Sequence, residues 1–370
     1  MKPDILITGG AGFIGSHLAR ELLDQGYRVR VLDLLDSQVH DGLTPPDYLD
    51  NRVEFLHGDI RDPECVRSAL DGVEMVCHLA ARVGVGQSMY EVSGYTAVNE
   101  LGTAVLLEQL IDRPIRKLLV ASSMSIYGEG LCRLGSLRIE PPPRSPAQLK
   151  TGQWELRTEV GNTLEPVPTP ESKSPTLSSI YALNKYAQER MALIWGEAYG
   201  RDVAAMRFFN VYGPHQALSN PYTGVLAIFA ARLLNGRPPM IFEDGLQRRD
   251  FVHVSDVARA CRLALESGRA SGETFNVGSG ESRTILSIAR ALAHAMGRDD
   301  VMPHVTGKYR AGDIRHCFAD ISRAGEVLGF APEMRFEDGI AKLVEWLKGQ
   351  VATDSVDEAT AELSRRGLVA

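Results

Sequence analysis

The chain has 370 residues, with 40 Lys and Arg against 47 Asp and Glu and a formal charge of −7. Such a length supports one large domain, or a domain with a smaller lobe, that buries a full core without disulfide or metal. The acidic balance excludes a nucleic-acid or acidic-membrane surface as partner, so any phosphate must be recognised by local Arg, Lys and backbone groups.

The first element is a short apolar strand, Ile5-Leu6-Ile7. It runs straight into Thr8-Gly9-Gly10-Ala11-Gly12-Phe13-Ile14-Gly15 and an apolar-faced helix. Gly9 permits the tight turn, Gly12 lets a diphosphate approach the backbone, and Gly15 lets helix and strand pack closely. Free N–H groups at the helix start face the diphosphate, where the helix dipole favours negative charge. A second strand, Arg28 to Leu32, ends on Asp33. That carboxylate can accept hydrogen bonds from both hydroxyls of an adenosine ribose and would repel a 2′-phosphate, so the pattern predicts NAD rather than NADP.

Further apolar strands follow at Val53 to Leu56, Met75 to Leu79, Lys117 to Ala121 and Val203 to Phe208, with periodic helices such as Tyr95 to Leu110 between them. Repeated β-α-β units predict an α/β fold with a doubly wound parallel (Rossmann) sheet over residues 1–211, its ligands outside the carboxyl ends of the strands. Residues 128–178 break the rhythm with eight prolines. This insertion reads either as a disordered loop or as a lid or partner-binding element in which Trp154, Leu156 and Val160 give it something to bury. Shorter segments over 212–350 predict a smaller C-terminal α/β substrate lobe. Residues 351–370 read as a helical tail, free or in an oligomer contact.

Cysteines 65, 77, 132, 261 and 317 show no C-x-x-C pairing and read as reduced thiols of a cytoplasmic protein. The N-terminus enters a strand at once, leaving no room for an export signal. The most apolar helix, near Val225 to Leu234, is about half the length that spans a bilayer, so no membrane association is expected.

Two patterns carry chemistry. Tyr181 and Lys185, at the start of a helix running to about Tyr199, fall on one helix face a turn apart. A lysine there, together with a cationic nicotinamide, draws the phenol pKa toward neutrality and makes it a base for a sugar hydroxyl. Ser122, Ser123 and Ser125 cluster at the carboxyl end of the strand from Lys117. Ser123 suits a hydrogen bond to the same substrate oxygen as Tyr181, whereas Ser122 fits a strand cap better.

Together with Gly58-Asp59-Ile60, His78-Leu79-Ala80-Ala81, Asn99 and Arg207-Phe208-Phe209-Asn210, these patterns resemble the extended short-chain dehydrogenase/reductase family, and within it the nucleotide-sugar 4-epimerases, over roughly residues 3 to 345. The resemblance implies NAD held by Gly9, Gly12, Phe13, Ile14, Gly15, Asp33, Asp59, Ile60, Leu79, Ala80, Ala81, Asn99, Tyr181 and Lys185, with Asp59 near the adenine. It implies Ser123, Tyr181 and Lys185 as catalytic residues. A nucleotide-diphosphate sugar would meet Ser123, Ser125, Asn210, Arg249, Arg310, Asp313 and Cys317, guanidinium forks suiting diphosphate oxygens. Cys317 stands where some sugar epimerases place a tyrosine; it reads either as room for a larger sugar or as a core cysteine.

Relatives that eliminate water or decarboxylate commonly carry acids just after the catalytic Ser or Thr, and here those places hold Met124 and Ser125. This favours C4 epimerisation over dehydratase and decarboxylase readings; a 4-ketoreductase or oxidase that exchanges its cofactor stands as the alternative, and a non-catalytic sensor is disfavoured because Tyr181 and Lys185 are both kept. The insertion also resembles one in a bacterial branch with epimerases of dTDP-6-deoxy sugars such as dTDP-L-rhamnose, where paired cysteines suggest a zinc ribbon. This chain keeps only Cys132 there, with no histidine between 128 and 178, so no metal is expected. His78 and His253 read as core residues. Met89, Tyr90 and Tyr95 either line the sugar pocket or pack beneath it. A homodimer is expected through the helices beginning near Tyr95 and Ser179, although burial against the chain's own sheet would look the same.

Overall fold

The computed structural model describes residues 4–40, 42–310 and 312–370. Seven strands form one parallel sheet: β1 (Asp4–Thr8), β2 (Arg28–Asp33), β3 (Glu54–His57), β4 (Met75–His78), β5 (Lys117–Ser123), β6 (Val203–Phe208) and β7 (Glu273–Val277). Their spatial order is β7-β6-β5-β4-β1-β2-β3. The order reverses between β1 and β4, and a cleft opens there at the carboxyl ends of the strands. Both sheet faces are covered, which is why the strands read as continuous apolar runs. In β1, Ile5 and Ile7 face the layer of α1 (Phe13–Asp24) and α4 (Val254–Glu266), while Leu6 faces that of α2 (Gly102–Leu110) and α3 (Ile180–Tyr199).

Three features differ from the sequence pattern. The helix expected from Tyr95 to Leu110 is interrupted by a π-helical turn over Ala97–Leu101. The chain does not divide cleanly near residue 211, because α4 packs on α1 and β7 pairs parallel with β6. Only the parts around Phe229, Ile288 and Leu343 build a separate core of the smaller lobe. The insertion folds as a small sheet, with Cys132–Leu134 antiparallel to Leu137–Ile139 and Glu165–Pro166. Leu156 and Leu164 close over Cys132, whereas Val160 is 84% exposed and buries nothing.

The insertion is docked on the smaller lobe through buried charges. Arg144 donates to Glu243 (2.7 Å) and to the carbonyl of Asp313 (2.9 Å). Arg315, fully buried, donates to Glu243 (3.0 Å) and Asp244 (2.6 Å) and is paired with Glu155. Each charge in this cluster has partners, the condition for tolerating it away from water. Among the described residues no helix is long and apolar enough to cross a membrane.

Asp250 joins the lobe to the end of β7. Its Oδ1 accepts from the N–H and hydroxyl of Ser279 (2.6 and 2.7 Å), and its Oδ2 accepts from the N–H of Gly280 and Ala319 (2.9 and 3.3 Å). Asp250→Asn turns an amide NH2 toward buried donors. We expect a loss of about 2 kcal/mol in urea unfolding; an unchanged midpoint would remove Asp250 from this role.

Candidate active site

A cavity of about 630 Å³ follows the carboxyl edge of the sheet from the glycine turn to the smaller lobe. At its cofactor end Gly9 has φ +70°, and a Cβ there would lie 2.8 Å from the Ala80 backbone. A Cβ on Gly15 would lie 2.5 Å from Gly10 Cα, so neither position admits a side chain. Gly12 caps α1 without any side-chain acceptor, which leaves the first N–H groups of the helix for an anion. Asp33 accepts from the N–H of Ala11 (3.0 Å) and of Leu35 (2.9 Å), which fixes its carboxylate at the cavity edge. Asp59 also lines the cavity, and its hydrogen bond from Arg61 holds its carboxyl below the usual range. Phe13, Ile14, Ile60, Leu79, Ala80 and Ala81 complete this wall. The steric cradle, free N–H groups and positioned carboxylate fit a dinucleotide.

Asn99 departs from expectation, since it is fully buried and does not line the cavity. Its amide accepts from the N–H of Arg82 (2.7 Å) and donates to the carbonyl of Arg82 (3.1 Å). The π turn carrying Asn99 rotates it beneath the loop after Ala81, where it clamps backbone.

Tyr181 and Lys185 lie on the first turns of α3, which Ser179 caps by accepting from the N–H of Ala182 (3.1 Å). The Tyr181 phenol faces Ser123, whose side chain draws its pKa down, and Ser123 Oγ accepts from the N–H of Ser125 (3.2 Å) and from its hydroxyl (3.0 Å). Ser122 points the other way and donates to Glu189 (2.6 Å), an anchor for the helix rather than a strand cap.

The expected pull on the phenol is absent from the protein's own groups. Burial pushes Tyr181 up to about 12, and Ser123 offsets this only in part. Burial brings Lys185 down to about 7, and its ammonium points at Gln188 Oε1 (2.8 Å). Gln188 in turn donates to Thr103 (2.9 Å), whose hydroxyl donates to the carbonyl of Asn99 (2.6 Å). Thr103 can therefore only accept from His78 Nε2 (2.9 Å), which leaves Nδ1 to accept from Thr8 (2.8 Å). Burial takes His78 down to about 3, so the ring is neutral. A polar chain thus runs from the strand before the glycine turn to the lysine. Gln188 was invisible in the sequence, where a helical glutamine reads as solvated surface.

In the substrate half Asn210, Arg249, Arg310 and Asp313 all line the cavity, and the buried Oδ1 of Asn210 has no hydrogen-bond partner. Arg310 is paired with Asp313 (2.9 Å). Arg249 donates to the carbonyls of Arg248 and Arg315 (both 2.9 Å) and of Ile314, so it also braces the segment behind Arg310. Gln216 and Gln247, not anticipated, bring further unpartnered amide oxygens to the lining. Cys317 does not reach the cavity. It packs with Met124, Ile126 and Phe209, and burial raises its thiol to about 12, as befits a core cysteine. Tyr95 packs beneath, donating to Gln87 (3.0 Å), while Tyr90 meets the cavity-lining Tyr222 (2.6 Å). His78 and His253 are both buried.

Residues 5–147 and 158–278 match the profile of the NAD dependent epimerase/dehydratase family. The chain is 34% identical over 348 residues to the dTDP-L-rhamnose 4-epimerase of Burkholderia thailandensis, covering 93% of this chain and 94% of that one. The UDP-glucose 4-epimerase of Thermotoga maritima, solved with UDP-glucose, superposes with a TM-score of 0.77 at 32% identity, over 93% of this chain and 98% of that one. A Thermus thermophilus UDP-glucose 4-epimerase in complex with NAD gives 0.74 at 32% identity, over 94% and 100%. dTDP-glucose 4,6-dehydratases and a UDP-N-acetyl-alpha-D-glucosaminuronate decarboxylase also match, at 28% to 31% identity.

The lowered Lys185 pKa makes a signed prediction. Between about 7 and the ordinary lysine value the unfolded chain holds a proton that the folded one has released, so stability from this group rises with pH across that window and is flat below it. Relative to Lys185→Met, the native protein should gain about 1 kcal/mol per pH unit from pH 7 to 9 in urea unfolding at fixed NAD. A gap that stays constant or narrows would contradict the lowered value.

Proposed function

The chain belongs to the NAD-dependent epimerase/dehydratase family, and within it we propose that it inverts C4 of a nucleotide-diphosphate sugar through a transient 4-keto intermediate. The observation that carries this reading is the chemistry around Ser123 and Tyr181. Among the described residues lining the cavity the carboxylates are Asp33, Asp36, Asp59 and Asp313. Asp33 ends β2, and Asp36 and Asp59 follow β2 and β3, all at the cofactor end, and Asp313 is paired with Arg310. Met124 and Ser125 stand beside Ser123, so elimination at C5 and C6 lacks a titrating acid or base, whereas epimerisation needs only one group to hold and return the 4-hydroxyl proton.

When bound, NAD supplies the acceptor for a temporary oxidation at C4 and gives the same electrons back. In this reading Tyr181 Oη takes the proton of the 4-hydroxyl, and Ser123, beside it, steadies the same oxygen and relays the proton. Arg310 suits the diphosphate, and the unpartnered Asn210 Oδ1 suits a sugar or ribose hydroxyl. The relative of highest identity given above supports a dTDP-6-deoxyhexose, and dTDP-L-rhamnose is the substrate to test first. A homodimer belongs to the same reading. Leu101 and, on α3, Leu183 and Ile194 are exposed apolar side chains on adjacent helices, suited to a helix-paired contact.

The test is incubation with a panel of dTDP- and UDP-sugars, following C4 stereochemistry by NMR and NADH by absorbance. Inversion without net NADH is expected, while a dehydrated, decarboxylated or net-reduced product would overturn the proposal. Tyr181→Phe should lower kcat about a thousandfold and leave NAD bound. Leu101→Glu combined with Ile194→Glu should give a monomer by light scattering, and an unchanged mass would place the contact elsewhere.

A further inference from the structure

Residues 351–370 are not a free tail. They form α5 (Val356–Arg365) followed by a short return, and both ends are fastened. Before the helix, Asn235 donates to the carbonyl of Ala352 (2.8 Å), and at its first turn Arg232 donates to Asp357 (2.9 Å). After it, the N–H of Tyr309 donates to the carbonyl of Ala370 (2.8 Å), the N–H of Ala370 donates back to Tyr309 (3.0 Å), and Val369 pairs with Arg310. Val356, Ala359, Thr360 and Leu363, spaced i, i+3, i+4, i+7, make one face of the helix, and all four line the cavity.

The short helix Val85–Ser88 places this face at the sugar end. Its Ser88 hydroxyl accepts from the N–H of Tyr181 (3.0 Å), and a Cβ on its Gly86 would lie 3.3 Å from Leu363 Cδ1. One turn of helix therefore separates the backbone of Tyr181 from α5. The wall is aliphatic, with Thr360 as its one hydroxyl. Of the nearby cations, Arg366 lies over the Tyr90 ring (4.2 Å), and Arg310, paired with Asp313, is the one assigned above to the diphosphate.

We propose that α5 is the specificity wall of the sugar pocket, with Ala359, Thr360 and Leu363 selecting an uncharged hexose whose C6 is a methyl group over one bearing hydroxymethyl or carboxylate. The aliphatic face gives a methyl group apolar contact, whereas a hydroxymethyl or carboxylate there would lose its water and find at most the single Thr360 hydroxyl in exchange. This deepens the nucleotide-sugar reading and rests on it.

The test does not require turnover. In full-length protein carrying Cys65→Ser, which removes the thiol that is not buried, Thr360→Cys is labelled with a maleimide. A panel of dTDP- and UDP-sugars is screened by calorimetry, and each sugar found to bind is then added at saturation, with free dTDP and UDP as controls. Bound nucleotide sugar should slow labelling at least fivefold and the nucleotide alone should not; equal rates with and without the sugar would overturn the wall. Binding of no member of the panel would overturn the nucleotide-sugar reading and this inference with it, so the two failures are told apart. Leu363→Ala should reduce the KM advantage of the 6-deoxy sugar over its 6-hydroxy counterpart about tenfold with kcat within twofold. An equal loss on both sugars would make the residue merely structural.

Discussion

The whole site depends on how α3 is seated on the sheet. Glu189 receives the fork of Arg207 (3.0 and 2.6 Å) and the hydroxyl of Ser122, and Arg207 also donates to the Tyr127 hydroxyl (2.8 Å). With one partner removed, a buried charge is left that costs about 3–5 kcal/mol, so the helix has one register on the sheet. Tyr181 lies about two turns before Glu189. Ser122 and Ser123 are neighbours in β5 whose side chains leave opposite faces of the strand. One therefore anchors the helix while the next meets the phenol. The same interaction that stabilises the fold sets the geometry of the proposed site.

Electrostatically the site is quiet. Burial holds Tyr181 protonated and brings Lys185 close to neutrality, and the chain through Gln188, Thr103, His78 and Thr8 can be drawn with no charge. A lysine in water would be a fixed cation, but here its charge is sensitive to small changes in its surroundings. In the proposed reaction the positive charge that favours phenolate would then arrive with the oxidised coenzyme, tying activation of the proposed base to a loaded site. Such coupling suits a reaction that has to keep its ketone bound.

What could be read from the sequence was local. The glycine turn, Asp33, Ser123 and the Tyr181/Lys185 pair depend on spacing within one element and its neighbour, and they sit where the pattern puts them. Asn99 and Cys317 lie outside the cavity lining because orientation decided them: a π turn carries one beneath the cleft, and the strand His316–Cys317 turns the other into a small core. β7 was hidden because five residues between glycines look like loop until the long-range partner β6 is known. Gln188 and α5 were hidden for a related reason. An amide at a helical position, or an apolar stripe on a short helix, does not say which cavity it faces.

The core sheet accounts for the chemistry but not for the enclosure. The proposed epimerisation requires that a flat ketone turn over without leaving, which demands walls as much as a base. Here two peripheral segments converge on one loop. From the insertion side, Glu129 accepts from the N–H of Arg315 and of His316 (2.7 and 3.1 Å), and Arg144 holds the carbonyl of Asp313. From the other side the last residues pair with Tyr309 and Arg310. Arg310, the guanidinium suited to the diphosphate, is thus braced at both flanks by chain outside the sheet. A scaffold shared with dehydratases and decarboxylases can diverge in substrate by exchanging such braces, while Ser123, Tyr181 and Lys185 stay where the fold holds them.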